Sequence, residues 1–290
     1  MDKIILASII TAMAFFATAC QKSNPSQQIE RLEKALSTAF NAAQADSLLI
    51  FYAGAVKDNP EDHALNLVRL VKSADLQFTH KHDANAAVKL IDNALSQHGQ
   101  GQNLAPGIEL SAYIWNAYTR KDATTGNLSP ESIVSINEIL NKNLNWLDSS
   151  LIRLDRRMGS PVVTDRAAAE RFLAVAESYA GFIQESNPDK FVDLLLKAGG
   201  LAKTLDQPNK ALQFYQTVVD TQSKHAKAPT ALFMTGFVYE NDLNDLVKAK
   251  AVYEKFLREY PNDPDFADDA KMALKMLGKT PEEIIKAAGN

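Results

Sequence analysis

The stretch GFVYENDLNDLVKAKAVYEKFLREYP, running from Gly236 to Pro261, decides the fold. Apolar residues recur in it at three- and four-residue spacing, which is the period of a helix packed on one face. Gly236 in the first half and Ala249 in the second carry almost no side chain, so two helices can approach closely there. Tyr239, Tyr253 and Phe256 supply the bulk around that contact, and Pro261 stops the second helix. The expected unit is a helical hairpin.

A second copy lies upstream. Leu195, Ala198, Gly199, Ala202, Ala211, Tyr215 and Val218 fall into the same frame, displaced by 37 residues at the glycine and 38 at the alanine. The later copy therefore carries one extra residue in its turn. Repeats of this length with small and aromatic residues at fixed places resemble the tetratricopeptide repeat, whose pattern is W-x₂-L-G-x₂-Y, then A-x₃-F, then P. The resemblance implies an all-α solenoid of stacked hairpins. It also implies that Tyr215 and Tyr253 fill the space between successive hairpins.

Weaker copies precede these. Val71, Ala74, Phe78, Ala87, Ile91 and Ala94 fit the frame, but Asp75 occupies a small position, so that hairpin is expected to be more open. Leu32, Ala35, Ala39, Tyr52, Ala55 and Pro60 fit as well, while Leu36 and Leu48 replace both small residues. A third candidate around Trp115 and Tyr118 is interrupted by RKDATTGNLSP. After it, Ser129 can cap a helix beginning at Pro130. An apolar stripe from Ile133 to Met158 then predicts one long helix over 130–158. Gly159-Ser160-Pro161 ends it and marks the expected boundary between an N-terminal half, 29–158, and a C-terminal half, 162–277. Within the latter, Thr164-Asp165 opens a helix, and Phe266, Ala270, Ala273, Leu274 and Leu277 predict a helix that caps the solenoid. Gly278 ends that helix, and residues 278–290 read as a tail with a short helix opening at Thr280-Pro281-Glu282-Glu283.

Composition agrees with long helices and few turns. Only 12 Gly and 11 Pro occur in 290 residues, and 46% hydrophobic with 23% charged residues is ordinary for a folded domain. The formal net charge of -4 is the wrong sign for a chain that neutralises a phosphate backbone, so nucleic acid is not an expected partner.

The only cysteine, Cys20, follows an apolar run from Ile4 to Ala17 and the small residues Ala17-Thr18-Ala19. The run is too short to span a bilayer and has the length of a signal-peptide core. This arrangement resembles a bacterial lipoprotein signal, residues 1–19, with Cys20 as the lipidated residue. The resemblance implies a thioether-linked diacylglycerol and a membrane anchor. Gln21, in place of Asp, implies the outer membrane. Residues 20–28, ending in the polar run QKSNPSQQ, are expected to form a flexible tether.

No catalytic constellation stands out. With Cys20 committed to the signal there is no cysteine nucleophile, and neither a Gly-rich phosphate loop, an HExxH nor a GxSxG occurs. His80-Lys81-His82-Asp83 could suggest a metal, but falls in a hairpin turn where polar residues are expected anyway. The acidic cluster Asp263, Asp265, Asp268 and Asp269 lacks the glycine and the terminal Glu of a calcium loop. No metal and no cofactor is expected.

Repeats of this family bind proteins or peptides on the inner face of each first helix. That frame places Arg69 and Lys72 on the groove of the second hairpin, and Phe233, Phe237 and Glu240 on the groove of the last. The two Phe would be anchors, unless a neighbouring helix covers them. The expected function is a non-enzymatic scaffold in the cell envelope, at the outer membrane and facing the periplasm. The segment from Ala249 to Leu274 resembles repeats in assembly lipoproteins of the outer-membrane β-barrel machinery and in periplasmic cell-division coordinators. Two rival readings are an envelope enzyme with a carboxylate site and a glycan-binding lipoprotein.

Overall fold

The computed structural model describes residues 24–121, 127–159 and 162–279. The signal segment, Cys20 and the helix expected from Thr280 lie outside the described residues, as do Ser160 and Pro161. Within them the chain forms thirteen helices and no strand, an all-α array of tetratricopeptide-like hairpins. It divides into two compact units, residues 24–107 with 127–136, and residues 108–121 with 137–279.

The first unit contains α1 (Pro25–Thr38), α2 (Ala42–Asp58), α3 (His63–Thr79) and α4 (Ala84–His98). Each begins at an Asn or Asp whose side chain accepts a backbone N–H of the first turn: Asn24, Asn41, Asp62 and Asp83. Such a cap satisfies a donor that the helix itself cannot, and contributes about 1 kcal/mol. The cap at Asn24 corrects the expected tether. With Pro25 preorganised for the first turn, α1 begins there, and residues 25–28 are helical.

The second unit begins within α5 (Ala105–Thr119), whose residues from Ile108 onward belong to it. The predicted long helix is in fact two, α6 (Pro130–Lys142) and α7 (Leu144–Met158). Ser129 caps α6 as expected, its Oγ accepting from Ser132 N at 3.2 Å. The break falls at Asn143. Its side-chain Nδ2 donates to the Ile139 carbonyl at 2.8 Å, competing with the backbone ladder, and its own N–H bonds to Leu140 instead of Ile139. The expected boundary at Gly159 lies inside the second unit, which continues through α8 (Arg166–Ile183) to the end of the described residues.

From there α9 (Pro188–Thr204), α10 (Pro208–Thr221), α11 (Ala228–Asn241), α12 (Leu246–Glu259) and α13 (Ala267–Met276) pack each against the next. The two hairpins seen in the sequence are α9–α10 and α11–α12. A β-carbon added at Gly199 would lie 2.4 Å from the Tyr215 ring, and one at Gly236 would lie 2.7 Å from the Tyr253 ring. Each tyrosine thus lies on the glycine of its own hairpin. The contact is possible only because the glycine has no side chain.

The turns repeat too. His82, Asp206 and Asn244 all have positive φ, at 55°, 60° and 50°. Each stands five residues before a fully buried alanine of the following helix: Ala87, Ala211 or Ala249. The same left-handed corner therefore closes α3–α4, α9–α10 and α11–α12. The extra residue of the last repeat lies before its corner.

Candidate functional site

Three positions break the small-residue rule of the repeat: Leu36, Leu48 and Asp75. The structure brings all three together. They line an open cleft of about 310 Å³ in the first unit, with Glu33, Tyr52, Lys72 and Leu76 as its other walls. Where a glycine or alanine would let helices close on one another, two leucines and an aspartate occupy the contact, and space remains between α1, α2 and α3. The leucines belong to the apolar cluster of Ile29, Leu48, Tyr52 and Ala55 that Leu36 and Leu76 complete.

Glu33 is the polar centre of the cleft. Its Oε1 accepts from the Tyr52 hydroxyl at 2.5 Å and from Lys72 Nζ at 2.8 Å, so one carboxylate of α1 ties down α2 and α3. Burial, and then the bond to Glu33, push the Tyr52 hydroxyl far above its ordinary pKa, so it stays a phenol donor. Lys72 is half-exposed. Arg69, one turn earlier on α3, donates to Asn66 at 3.1 Å, and buried Asn66 in turn donates to the Asn59 carbonyl at 2.7 Å. Exposed Leu65 and Val68 share this side of α3 and extend an apolar stripe toward Lys72. An ion pair this exposed contributes about 0–1 kcal/mol, so an incoming chain can exchange partners with it at little cost. The cleft offers apolar walls, two carboxylates and one cationic donor, with Arg69 beside it, which suits a peptide segment.

The residues expected on the last groove are placed differently. Phe233 is 8% exposed and stacks on Phe266 at 4.6 Å, with Tyr253 at 5.6 Å and Phe256 at 5.9 Å. The segment entering α13 covers it, so its apolar surface is spent in the core. Phe237 is half-buried beneath Lys203, whose Nζ lies 3.8 Å from the ring centroid and also pairs with Asp242 at 3.4 Å. Glu240 accepts the Tyr253 hydroxyl at 2.7 Å. That contact fixes the ring lying on Gly236. Of the five groove residues expected from the sequence, only Lys72 lines the cleft, with Arg69 beside it.

Other expected sites resolve locally. His80 stacks on Phe40 with ring centroids 3.8 Å apart, Lys81 pairs with Asp46, and His82 forms the left-handed corner. Asp263 accepts from the backbone N–H groups of Asp265 and Phe266 at 3.1 and 2.8 Å, ordering the approach to α13. Among the described residues, no group of three or more His, Cys, Asp and Glu is placed to hold a metal.

Sequence reading missed a buried charge in the second unit. Glu109 of α5 is 2% exposed and pairs with Arg153 of α7 and Arg171 of α8. The Arg171 guanidinium lies 4.8 Å over the Tyr113 ring. Nearby, Glu177 accepts from Asn116 at 3.0 Å, from Arg120 at 2.7 Å and from Gln213 at 3.0 Å. Glu109 and Arg153 are 44 positions apart, and only the fold makes them neighbours.

A repeating hairpin with a left-handed corner and a Gly–Tyr contact defines a helical-repeat protein. Residues 230–263, covering most of α11 and all of α12, match the family model of the tetratricopeptide repeat. No curated protein matches the chain.

Proposed function

We propose that this protein is a lipid-anchored scaffold of the bacterial cell envelope that holds a peptide segment of a protein partner in the cleft between α1, α2 and α3. The tetratricopeptide motif itself suggests a protein-interaction scaffold. The observation that carries the finer reading is the cleft at Leu36, Leu48 and Asp75, where the repeat departs from its small residues and Glu33, Lys72 and Arg69 stand at hand. Cys20, after an apolar run and small residues, supports attachment through lipid, and Gln21 in place of Asp favours the outer membrane. Several acyl chains give stable anchoring, since each buried methylene contributes about 0.8 kcal/mol. The chemistry on which the proposal rests is binding, not catalysis.

The test is made in cells with a photo-crosslinking residue at exposed Val68, beside Lys72, and a control at exposed Val247 of α12. A specific adduct from position 68 that is absent from 247 is expected. Lys72→Ala should weaken capture tenfold or more while costing less than about 1 kcal/mol of stability. Equal capture from both positions would discard the cleft. In the same cells Cys20→Ser should abolish incorporation of a palmitate analogue, and label retained by that variant would sink the anchor.

A further inference from the structure

His63 is the first residue of α3 and His98 the last of α4, so the pair closes the end of this hairpin opposite its turn. Their Nδ1 atoms are 2.9 Å apart and their ring centroids 5.2 Å apart, the arrangement of a single N–H···N hydrogen bond. One ring donates and the other must accept, so one proton lies between the two nitrogens. His98 is buried, whereas His63 is half-exposed, with Glu61 Oε2 3.9 Å from its other nitrogen, Nε2.

Protons added to this pair have unequal effects. The first can go to His63, whose ring then donates through Nδ1 to His98 and presents its second N–H toward Glu61. That charge-assisted bond is stronger than the neutral one. The next proton has only one place to go. His98 accepts at Nδ1, so its neutral ring carries hydrogen on Nε2, and protonation must occupy Nδ1. Two N–H groups then face each other, the bond is lost and two cations meet.

The charges around the pair do not cancel this. Glu61 lies on the far side of His63, and Asp62 caps α3, accepting from Leu65 N at 3.2 Å. Arg69, further along α3, donates to Asn66. On α4 the nearest charges, Lys89 and Asp92, stand six or more residues before His98. Lys57 and Asp58, at the end of α2, are exposed, and residues 99–108 leading into α5 include no charged group. Burial, and then the charge of His63, hold the His98 imidazole below its ordinary 6.5. The unfolded chain therefore takes up a proton that the native pair resists. The bond's contribution to stability is complete above that ordinary value and is lost as pH falls below it.

We propose that His63 and His98 form an acid-sensitive latch: one shared proton closes the end of the α3–α4 hairpin, and a proton on each Nδ1 opens it. The same hairpin supplies Lys72, Asp75 and Leu76 to the cleft, so opening loosens one of its walls. The latch stands independently of what the cleft binds.

The test measures amide hydrogen-exchange protection in the full chain at about pH 7.5 and about pH 5, on either side of ordinary histidine titration. The amides of Asn66, bonded to the Asp62 carbonyl, and Gly99, bonded to the Leu95 carbonyl, report on the two sides of the latch. Their protection should fall tenfold or more in acid, while that of Phe191 in α9 should hold. His98→Phe, which leaves no ring nitrogen to titrate, should abolish the fall, and His80→Ala with His82→Ala should preserve it. Unchanged protection in the wild type, or a fall of the same size in a folded His98→Phe protein, would overturn the proposal. Should His98→Phe not fold, the wild type decides: a fall confined to the hairpin end supports the latch, and a uniform fall overturns it.

Discussion

At Gly199 and Gly236 the repeat depends on the absence of a side chain. Replacing a helical glycine by alanine ordinarily gains about 0.8–1 kcal/mol of helix propensity. At these two positions the new β-carbon would enter a tyrosine ring, and overpacking of this kind costs about 1–3 kcal/mol. The steric cost is expected to win, because Tyr215 and Tyr253 are themselves almost wholly buried and have nowhere to move. Gly181 is a natural control, a helical glycine with nothing within 4 Å of an added β-carbon. Thermal unfolding should therefore show Gly236→Ala and Gly199→Ala lowering the midpoint and Gly181→Ala raising it slightly. A higher midpoint for all three would mean that the tyrosines do not rest on the glycines. Tyr253 is further held by Glu240, which is why a residue expected to orient a ligand is better understood as orienting a ring.

At the scale of elements, charges set which helices meet. Asp148 and Asp155 of α7 pair with Lys190 and Lys197 of α9 at 2.5 and 2.7 Å, seven residues apart on both helices. Asp193 of α9 pairs with Lys227 beside α11 at 2.6 Å. Such exposed pairs contribute little energy each, about 0–1 kcal/mol, but the two in register between α7 and α9 oppose a slip of one helix along the other. Glu109 is different, because it is buried. Removing it takes a buried carboxylate from Arg153 and Arg171, which are themselves part-exposed, and losing hydrogen bonds to a charged group costs about 1.5–3 kcal/mol. Glu109→Ala should accordingly unfold α5, α7 and α8 at lower denaturant than Glu138→Ala, which removes only an exposed i,i+4 pair with Lys142. Equal midpoints for the two variants would show that the Glu109 network carries no net stability.

For the molecule as a whole, the buried tyrosines make alkali the telling perturbation. Burial raises Tyr215 from 10.0 to about 12, with the Asp242 charge adding to it, and Tyr253 is pushed higher still by burial and Glu240. A group whose pKa is raised by folding binds its proton more tightly in the native state. Its contribution is complete below the unfolded value near 10 and is lost as pH rises toward 12. Unfolding should thus steepen between pH 10 and about 12, with tyrosinate absorbance from these residues appearing together with loss of helix. Tyr215→Phe should flatten part of that dependence, and absorbance rising fully before any helix is lost would refute it.

Local pattern alone determined most of the helices, the cap at Ser129 and the last two hairpins, because a 3.6-residue period and a glycine facing an aromatic are written in adjacent residues. The departures at Leu36, Leu48 and Asp75 were also legible, although their meaning as walls of one cleft was not. Tertiary structure decided the rest. Asn143 divides an unbroken apolar stripe because its side chain finds a backbone carbonyl, and the covering of Phe233 depends on where the segment before α13 turns. Glu109 with Arg153 and His63 with His98 lie 44 and 35 positions apart, and no spacing rule joins them. A period records which face of a helix is buried; it carries no record of which distant side chain is buried against it.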